Sequence, residues 1–432
     1  MERAKVAIVG LGTIGSGVAR LLLEQGTRIS ARAGRAVELA RIVDADVNRP
    51  RDVALPAGLL SDDLEGMLAD PEIGVAVELI GGLEPARTIV LRMLEAGKDV
   101  VTANKALLAE HGPEIVQRAR ELGRCVTFEA AVAGGIPIIA ALGEALATNR
   151  IESIHAILNG TSNFILTEME ERGSEYATAV AEAQRLGYAE ADPAMDVDGS
   201  DAAQKLAILA QLAFGACVDW KAIPRTGIDA VAAADQGYAR ELGYHIKLLA
   251  VAESAAEGLQ LSVAPTLVRR GTPLAEVRGA YNAVRVVGDA VGRVFFHGLG
   301  AGQMPTASAV VADVIDVVSG RAAITFRLLG LWSRPAGAVA LRDPAAVASR
   351  FYLRLSVEDR PGVLAEIAGI LGRQQISIAS VIQHETEGEA DGVVPLVIMT
   401  HAAPEGAFRA AMSAIDTLPF VHGESIRLRV RD

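Results

Sequence analysis

Across residues 1–131, short apolar runs alternate with stretches of helical period. The runs KVAIVG (5–10), ARIVDAD (40–46), VAVELIG (75–81), DVVTAN (99–104) and CVTFEAA (125–131) are rich in β-branched residues, the pattern of strands buried on both faces. Between them, TIGSGVARLLLEQG (13–26) and EPARTIVLRMLEAG (84–97) repeat apolar positions every three to four residues. Pro85 stands where a first helical turn tolerates it, and Gly97 where a helix ends. This alternation predicts a doubly wound parallel sheet with helices on both faces. Ligands bind such sheets at the carboxyl ends of the strands, where Gly10, Asp44, Gly81 with Gly82, Asn104 with Lys105, and Glu129 stand.

From about residue 132 the alternation breaks. Strand-like RIESIHAIL (150–158) leads into the polar loop NGTSN (159–163), and two helical stretches flank the acid-rich loop EADPAMDVDGSD (190–201). Strands follow at GLQLSVAPTLV (258–268) and AVRVVGDAVGRVFFHG (283–298), and a helix at TASAVVADVIDVVSG (306–320) returns the chain to the first sheet. Residues 333–350, with two prolines and weak patterning, are expected to be a linker. Residues 351–432 read strand, helix, strand, strand, helix, strand, the order of a small ferredoxin-like domain. The expected organisation is a first domain over 1–131 completed by about 302–332, an inserted α+β domain over 132–301, the linker, and a final domain over 351–432.

Length and charge narrow the functions. A chain of 432 residues exceeds one ordinary domain, and a net charge of -12 has the wrong sign for a nucleic-acid binder. Cys125 and Cys217 lie far apart in apolar surroundings without a CxxC, the usage of buried thiols in a reducing compartment. The opening MERAKVAIVGLG lacks the apolar run of a signal peptide, and no run approaches the ~20 apolar residues of a membrane span. A soluble cytoplasmic protein with neither nucleic-acid nor membrane partners is expected.

Four stretches carry candidate chemistry. GLGTIG (10–15) follows a strand and opens a helix. Gly10 permits the turn, Gly12 lets backbone approach a pyrophosphate, Gly15 allows close helix packing, and Thr13 and Ile14 supply amides at the helix N-terminus. In this context the motif marks a Rossmann-type dinucleotide site. The second strand ends VDADVNRP, where Asp44 or Asp46 suits a ribose hydroxyl and Arg49 a 2′-phosphate, so both cofactor types stay open. In VVTANKALLA (100–109), Lys105 places a cation at a helix start, where the macrodipole disfavours it, and this points to function. In VDGSDAAQKLAILAQLAFG (197–215), Asp201 and Lys205 share a helix face.

Two readings of that pair remain. Asp201 caps the helix, with Lys205 as a surface partner contributing about 0.2–0.5 kcal/mol, or the pair is catalytic. Lysines number six against 41 lysines and arginines together, and of the two only an ammonium can surrender a proton near neutral pH. That choice favours a proton donor. Upstream, Glu190, Asp192, Asp196 and Asp198 crowd one loop, an arrangement suited to a ligand bearing an ammonium group. The spacing is not that of a calcium loop, and the histidines form no HxxxH or HExxH pair.

Together these pieces resemble the homoserine dehydrogenases nearly from end to end. The resemblance is carried by GLGTIGSGV (10–18), VVTANKALLA (100–109), FEAAVAGGIPII (128–139), NGTSNFIL (159–166), GYAEADPAMDVDGSDAAQKLAIL (187–209) and GAGQMPTASAVVAD (300–313). It implies reversible reduction of L-aspartate 4-semialdehyde to L-homoserine by NAD(P)H, with a catalytic and dimerisation domain inserted after the Rossmann domain. It implies Lys205 as proton donor, Asp201 as its partner, Glu190 and Asp196 as substrate binders, and Lys105 between substrate and cofactor. Gly10, Gly12, Thr13, Ile14, Gly15, Asp44, Gly81, Lys105, Gly187 and Gly302 would contact the dinucleotide. Main-chain carbonyls of Glu129, Val132, Gly134 and Ile136 would hold a monovalent cation, Na+ or K+. Family members preferring NADP often carry arginine after the acid that ends the second strand. Ala45 stands there here, which leaves NAD and NADP both open. VEDRPGVLAEIAGIL (357–371) resembles an ACT domain, implying control by an amino acid such as threonine, and a homodimer or homotetramer is expected. The alternatives are another dehydrogenase of a small amino-acid-derived aldehyde, and a non-catalytic sensor of dinucleotide and amino acid.

Overall fold

The structure, a computed structural model, describes residues 3–333, 337–384 and 392–431. Residues 334–336 of the expected linker lie outside them. The chain divides into two compact units: Met1–Ile154, Ala203–Ile223 and Tyr281–Val339 form the first, and His155–Ala202, Pro224–Ala280 and Ala340–Asp432 the second.

In the first unit, strands β1 (Arg3–Val9), β2 (Ala36–Val43), β3 (Leu60–Ser61), β4 (Ile73–Glu78), β5 (Asp99–Thr102) and β6 (Val126–Thr127) form one parallel sheet in the order 3-2-1-4-5-6. This is the Rossmann strand order, with its switch point between β1 and β4. Val6, Ile8, Ile42, Val77, Val100 and Val101 are buried in it, each contributing about 1.5–3 kcal/mol by leaving water. Helix Thr13–Glu24 buries Val18, Ala19 and Leu22. Its Gly17 admits helix Gln303–Val318, since a Cβ there would lie 2.9 Å from Gln303 Cγ and 3.0 Å from Ala307 Cβ.

Three elements differ from the sequence pattern, the first being strand β3 at Leu60–Ser61, which is not among the expected runs. The helix expected through residue 26 stops at Glu24, and a second helix, Gly26–Ala33, ends at Gly34 with φ 72°. The run expected as a strand over 125–131 pairs only through Thr127, then turns into a 3-10 segment at Glu129–Ala131. Tertiary partners cause the break, because the Glu129 N–H donates to Asp313 Oδ2 at 2.8 Å instead of extending the ladder.

In the second unit, Tyr244–Ala255 and Gly258–Arg269 form a long antiparallel pair. Strands Ala348–Glu358, Ile378–Ile382, Val393–Thr400 and Val421–Arg431, with helices Val363–Arg373 and Glu405–Ile415, build the ferredoxin-like fold in the spatial order fourth, first, third, second. Alternate residues Phe351, Leu353, Leu355 and Val357 face Ile367, Leu371, Phe408 and Met412 in one core, with Phe351 stacked on Phe408 at 3.9 Å between ring centroids. The first of these strands starts at Ala348, inside the expected linker. Main-chain bonds from Leu259 N to Ala340 O and from Arg342 N to Leu259 O order the approach to it.

Lys247 is buried and donates to Val277 O at 2.6 Å. Burial pushes its ammonium down to about 8, against the upward pull of the Glu170 carboxylate. The unfolded chain therefore holds this proton more tightly than the folded one, and stability rises as pH climbs from about 8 towards the ordinary lysine range near 10. A Lys247→Met variant should lose that rise in urea midpoints measured across the same interval; an unchanged pH profile would refute the assignment.

Candidate active site

At the end of β1 the chain turns at Gly10, whose φ of 99° and a would-be Cβ only 2.6 Å from the Leu79 carbonyl carbon admit no side chain. Helix Thr13–Glu24 then begins with Gly12 at its N-cap and no side-chain cap, so the first-turn amides of Thr13, Ile14 and Gly15 are left for an anion. A Cβ on Gly12 would meet nothing within 4 Å, whereas one on Gly15 would lie 2.1 Å from Gly10 O. Gly12 is thus open for a ligand, while Gly15 is closed by packing. The loop faces a cavity of about 410 Å³ lined by Gly10, Gly12, Asp44, Ala45, Arg49 and Ile80, among others.

Asp44 rivets this loop. One carboxylate oxygen accepts from Leu11 N at 2.5 Å; the other accepts from Asp46 N at 2.9 Å and pairs with Arg51 at 3.1 Å. Burial alone would raise its pKa, but these donors and the Arg51 charge outweigh it and hold the group below the ordinary carboxylate range. Across the sheet, buried Glu78 at the end of β4 accepts from Ile80 N at 2.8 Å, Gly81 N at 3.2 Å and Thr102 Oγ1 at 2.6 Å. Asn104 caps helix Lys105–Glu121 by accepting from Leu107 N at 3.1 Å and donates to Gly82 O at 2.7 Å. Gly81, with φ 80°, is held by Glu78, and half-buried Lys105 opens the helix that Asn104 caps. Gly302, with φ 117°, precedes helix Gln303–Val318, whose Gln303 donates to Thr13 O at 3.0 Å.

In the second unit the acids separate into roles. Asn159, at the N-cap of helix Gly160–Arg172, donates to Asp196 Oδ1 at 2.7 Å and to Asp201 Oδ2 at 2.8 Å. Asp196 and Asp201 are therefore drawn to one amide. Asp192 and Asp198 serve the local backbone: Ala194 N donates to Asp192 at 3.1 Å, and Ser200 N to Asp198 at 2.7 Å. The turn into helix Ser200–Phe214 is made by Asp198, not by Asp201, which leaves Asp201 for the Asn159 contact. Asp201 and Lys205 are 5% and 9% exposed, so the reading of Lys205 as a surface partner fails. Glu190 and Gly187, which has φ 76°, lie exposed.

After the 3-10 segment, residues 132–136 form an irregular loop. Ala133 takes φ 50°, Ile136 O accepts from Ile138 N at 2.7 Å, and the Glu129 carboxylate accepts from Ile139 N at 2.9 Å and Ala140 N at 2.8 Å. Burial raises the Glu129 pKa despite those two amides. Among the described residues no group of three or more His, Cys, Asp or Glu side chains could hold a metal ion.

Residues 137–315 match the homoserine dehydrogenase family model, 10–129 match the model of the homoserine dehydrogenase NAD-binding domain, and 351–420 match the ACT domain. The homoserine dehydrogenase of Pseudomonas aeruginosa is 45% identical over 438 residues, covering 100% of this chain and 99% of that one. The chain belongs to the homoserine dehydrogenase family. A crystal structure of a homoserine dehydrogenase from Thiobacillus denitrificans superposes with a TM-score of 0.92 at 44% identity, covering 100% of this chain and 99% of that one. A hyperthermophilic archaeal homoserine dehydrogenase in complex with NADPH matches with a TM-score of 0.59 at 27% identity, over 73% of this chain and 97% of that one. The protein is accordingly an NAD(P)-dependent oxidoreductase with an α/β Rossmann domain and a C-terminal ACT domain. No described helix is long and apolar enough to cross a membrane.

Three residues of these networks escaped sequence reasoning: Arg51, Glu78 and Asn159. Asn159 had a local signal, an Asn at a strand-to-helix junction three residues before Ser162, from whose N–H it accepts, which is a capping pattern. Arg51 and Glu78 had none: besides near bonds to Asp44 and to the Ile80 and Gly81 amides, each has one partner more than 20 residues away, Leu11 O for Arg51 and Thr102 for Glu78.

The glycine geometry separates binding from folding. Gly12→Ala should leave the urea midpoint unchanged while weakening NAD(P)H binding by at least about ten-fold, because its space is open only until the dinucleotide arrives. Gly15→Ala should destabilise the fold itself by about 1–3 kcal/mol through overpacking against Gly10 O. Fluorescence titration with NADPH beside urea melts would reverse the argument if the two variants behaved alike.

Proposed function

We propose that this chain interconverts L-aspartate 4-semialdehyde and L-homoserine, with Lys205 as the group that protonates the substrate oxygen. The observation that carries the reading is the buried helix face on which Lys205 lies four residues from Asp201, itself fixed by Asn159. The dinucleotide, when bound, supplies or accepts the hydride. Hydride arrival at a carbonyl builds negative charge on oxygen, and an ammonium within hydrogen-bond reach both stabilises that charge and donates the proton. Asp201 orients and electrostatically balances the ammonium. Asp196 and Glu190 bind the substrate's own ammonium, and Lys105 sits between substrate and nicotinamide. Gly10, Gly12, Thr13, Ile14, Gly15, Asp44, Gly81, Gly187 and Gly302 contact the dinucleotide.

A monovalent cation, Na+ or K+, is assigned to the carbonyls of Glu129, Val132, Gly134 and Ile136. Main-chain oxygens are hard donors suited to such ions, and the positive φ of Ala133 breaks the alternation that would otherwise point successive carbonyls apart. The ACT domain is assigned to threonine control, and a cytoplasmic homodimer or homotetramer completes the reading. The domain limits proposed are 1–131 with 302–332, 132–301, a linker at 333–350, and 351–432.

Following reduced-coenzyme absorbance with homoserine as substrate, in parallel with NAD and with NADP, tests the proposal. Homoserine-dependent reduction of at least one coenzyme is expected. No reduction of either would end it. Titrating threonine into the same assay should depress the rate, and a flat response would dismiss the regulatory part alone.

A further inference from the structure

Strand Val421–Arg431 sets Arg427, Arg429 and Arg431 on one face at alternate positions. Arg431 is spent on Glu253, at 2.5 Å, and Arg429 on Glu405, at 3.2 Å. Among the described residues, no ion pair or hydrogen bond engages the guanidinium of Arg427 or of Arg409 on helix Glu405–Ile415. Both nevertheless line one cavity of about 340 Å³ within the second unit, together with Arg429 and Glu405 and walled by Phe408 and Pro265. Three guanidiniums against one carboxylate make a cationic hollow on a chain whose net charge is -12.

The hollow has a backbone cause. Val263 is paired through Thr226 N to Val263 O and Val263 N to Pro224 O, both at 2.9 Å. Two residues on along the same edge, Pro265 has no N–H to donate. Parallel pairing with strand Val421–Arg431 starts only at Thr266, opposite Arg429. The gap in the ladder lies where Arg427 stands.

We propose that this crevice binds a small organic dianion, a phosphate monoester or a dicarboxylate, gripped between Arg409 and Arg427. Guanidinium forks match both headgroups bidentately, and the volume lies in the range of small-molecule sites. Without an anion, like charges so grouped repel one another. The site shares no residue with the glycine loop or with the helix bearing Asp201 and Lys205. A bound dianion would join the ferredoxin-like fold to strand Gly258–Arg269.

The test is the thermal midpoint of the full chain in inorganic phosphate and, separately, in succinate, against chloride at matched ionic strength. Saturating NADPH is present throughout, so that the glycine loop is already filled. A saturable rise is expected with at least one dianion, half-complete on the order of 1 mM, and the responding arm tells phosphate from carboxylate. Arg409→Gln/Arg427→Gln should require at least ten-fold more of the same dianion. If that double variant melts far below the parent, Arg409→Gln alone, on an exposed helical position, is held to a five-fold weakening. No rise with either dianion, or an equal rise in the variants, overturns the proposal.

Discussion

Replacing Lys205 by Ala should cut turnover by roughly 10²- to 10⁴-fold, the scale of a lost general acid, while NADPH binding measured by fluorescence stays within about two-fold. The ammonium is buried on helix Ser200–Phe214, and the dinucleotide loop is built separately from Gly10–Gly15 and Asp44. On the proposed mechanism, a methyl in its place leaves the developing alkoxide without a donor. Lys205→Arg should recover little, because a guanidinium keeps its charge but cannot give up its proton near neutral pH. If Lys205→Ala turned over at the parental rate, or if Lys205→Arg restored it fully, proton donation would have to be moved elsewhere.

The second large effect is on stability. Asp235, at 0% exposure, accepts from Arg354 Nε at 2.6 Å, Arg354 Nη2 at 3.0 Å, Tyr352 OH at 2.8 Å and Ala232 N at 2.9 Å. It fastens helix Ala233–Glu241 to the first strand of the ferredoxin-like fold. Asp235→Ala should cost about 3–5 kcal/mol in urea unfolding, since it strands a largely buried guanidinium and a buried hydroxyl. Removing both charges together, in Asp235→Leu/Arg354→Met, should recover much of that loss, because the penalty lies in the orphaned partner and not in the absent pair. A loss below 1 kcal/mol in the single variant, or a double variant worse than the sum of the singles, would contradict this.

Where function was legible in the sequence, the signal was local. The glycines of GLGTIG sit two and three positions apart because one turn and one helix start impose that spacing, and no distant residue alters it. The six elements of residues 351–432 were likewise readable, as each keeps an unbroken apolar period. The end of β6 was not, because Asp313, 184 residues away, takes the amide that would have continued it.

The sequence by itself determined the dinucleotide loop, the helix face shared by Asp201 and Lys205, and the strand-and-helix order of residues 351–432. These follow from backbone periodicity and from what glycine alone can adopt, which act over a few residues. Only the tertiary structure decided which of the crowded acids meet Asn159 and which hold turns. Asn159 selects Asp196 and Asp201 from 37 and 42 residues away, while Asp192 and Asp198 bond to amides two residues on. Burial decided the rest: a lysine equally suited to a surface ion pair was taken out of water, and that depends on packing which no local pattern encodes.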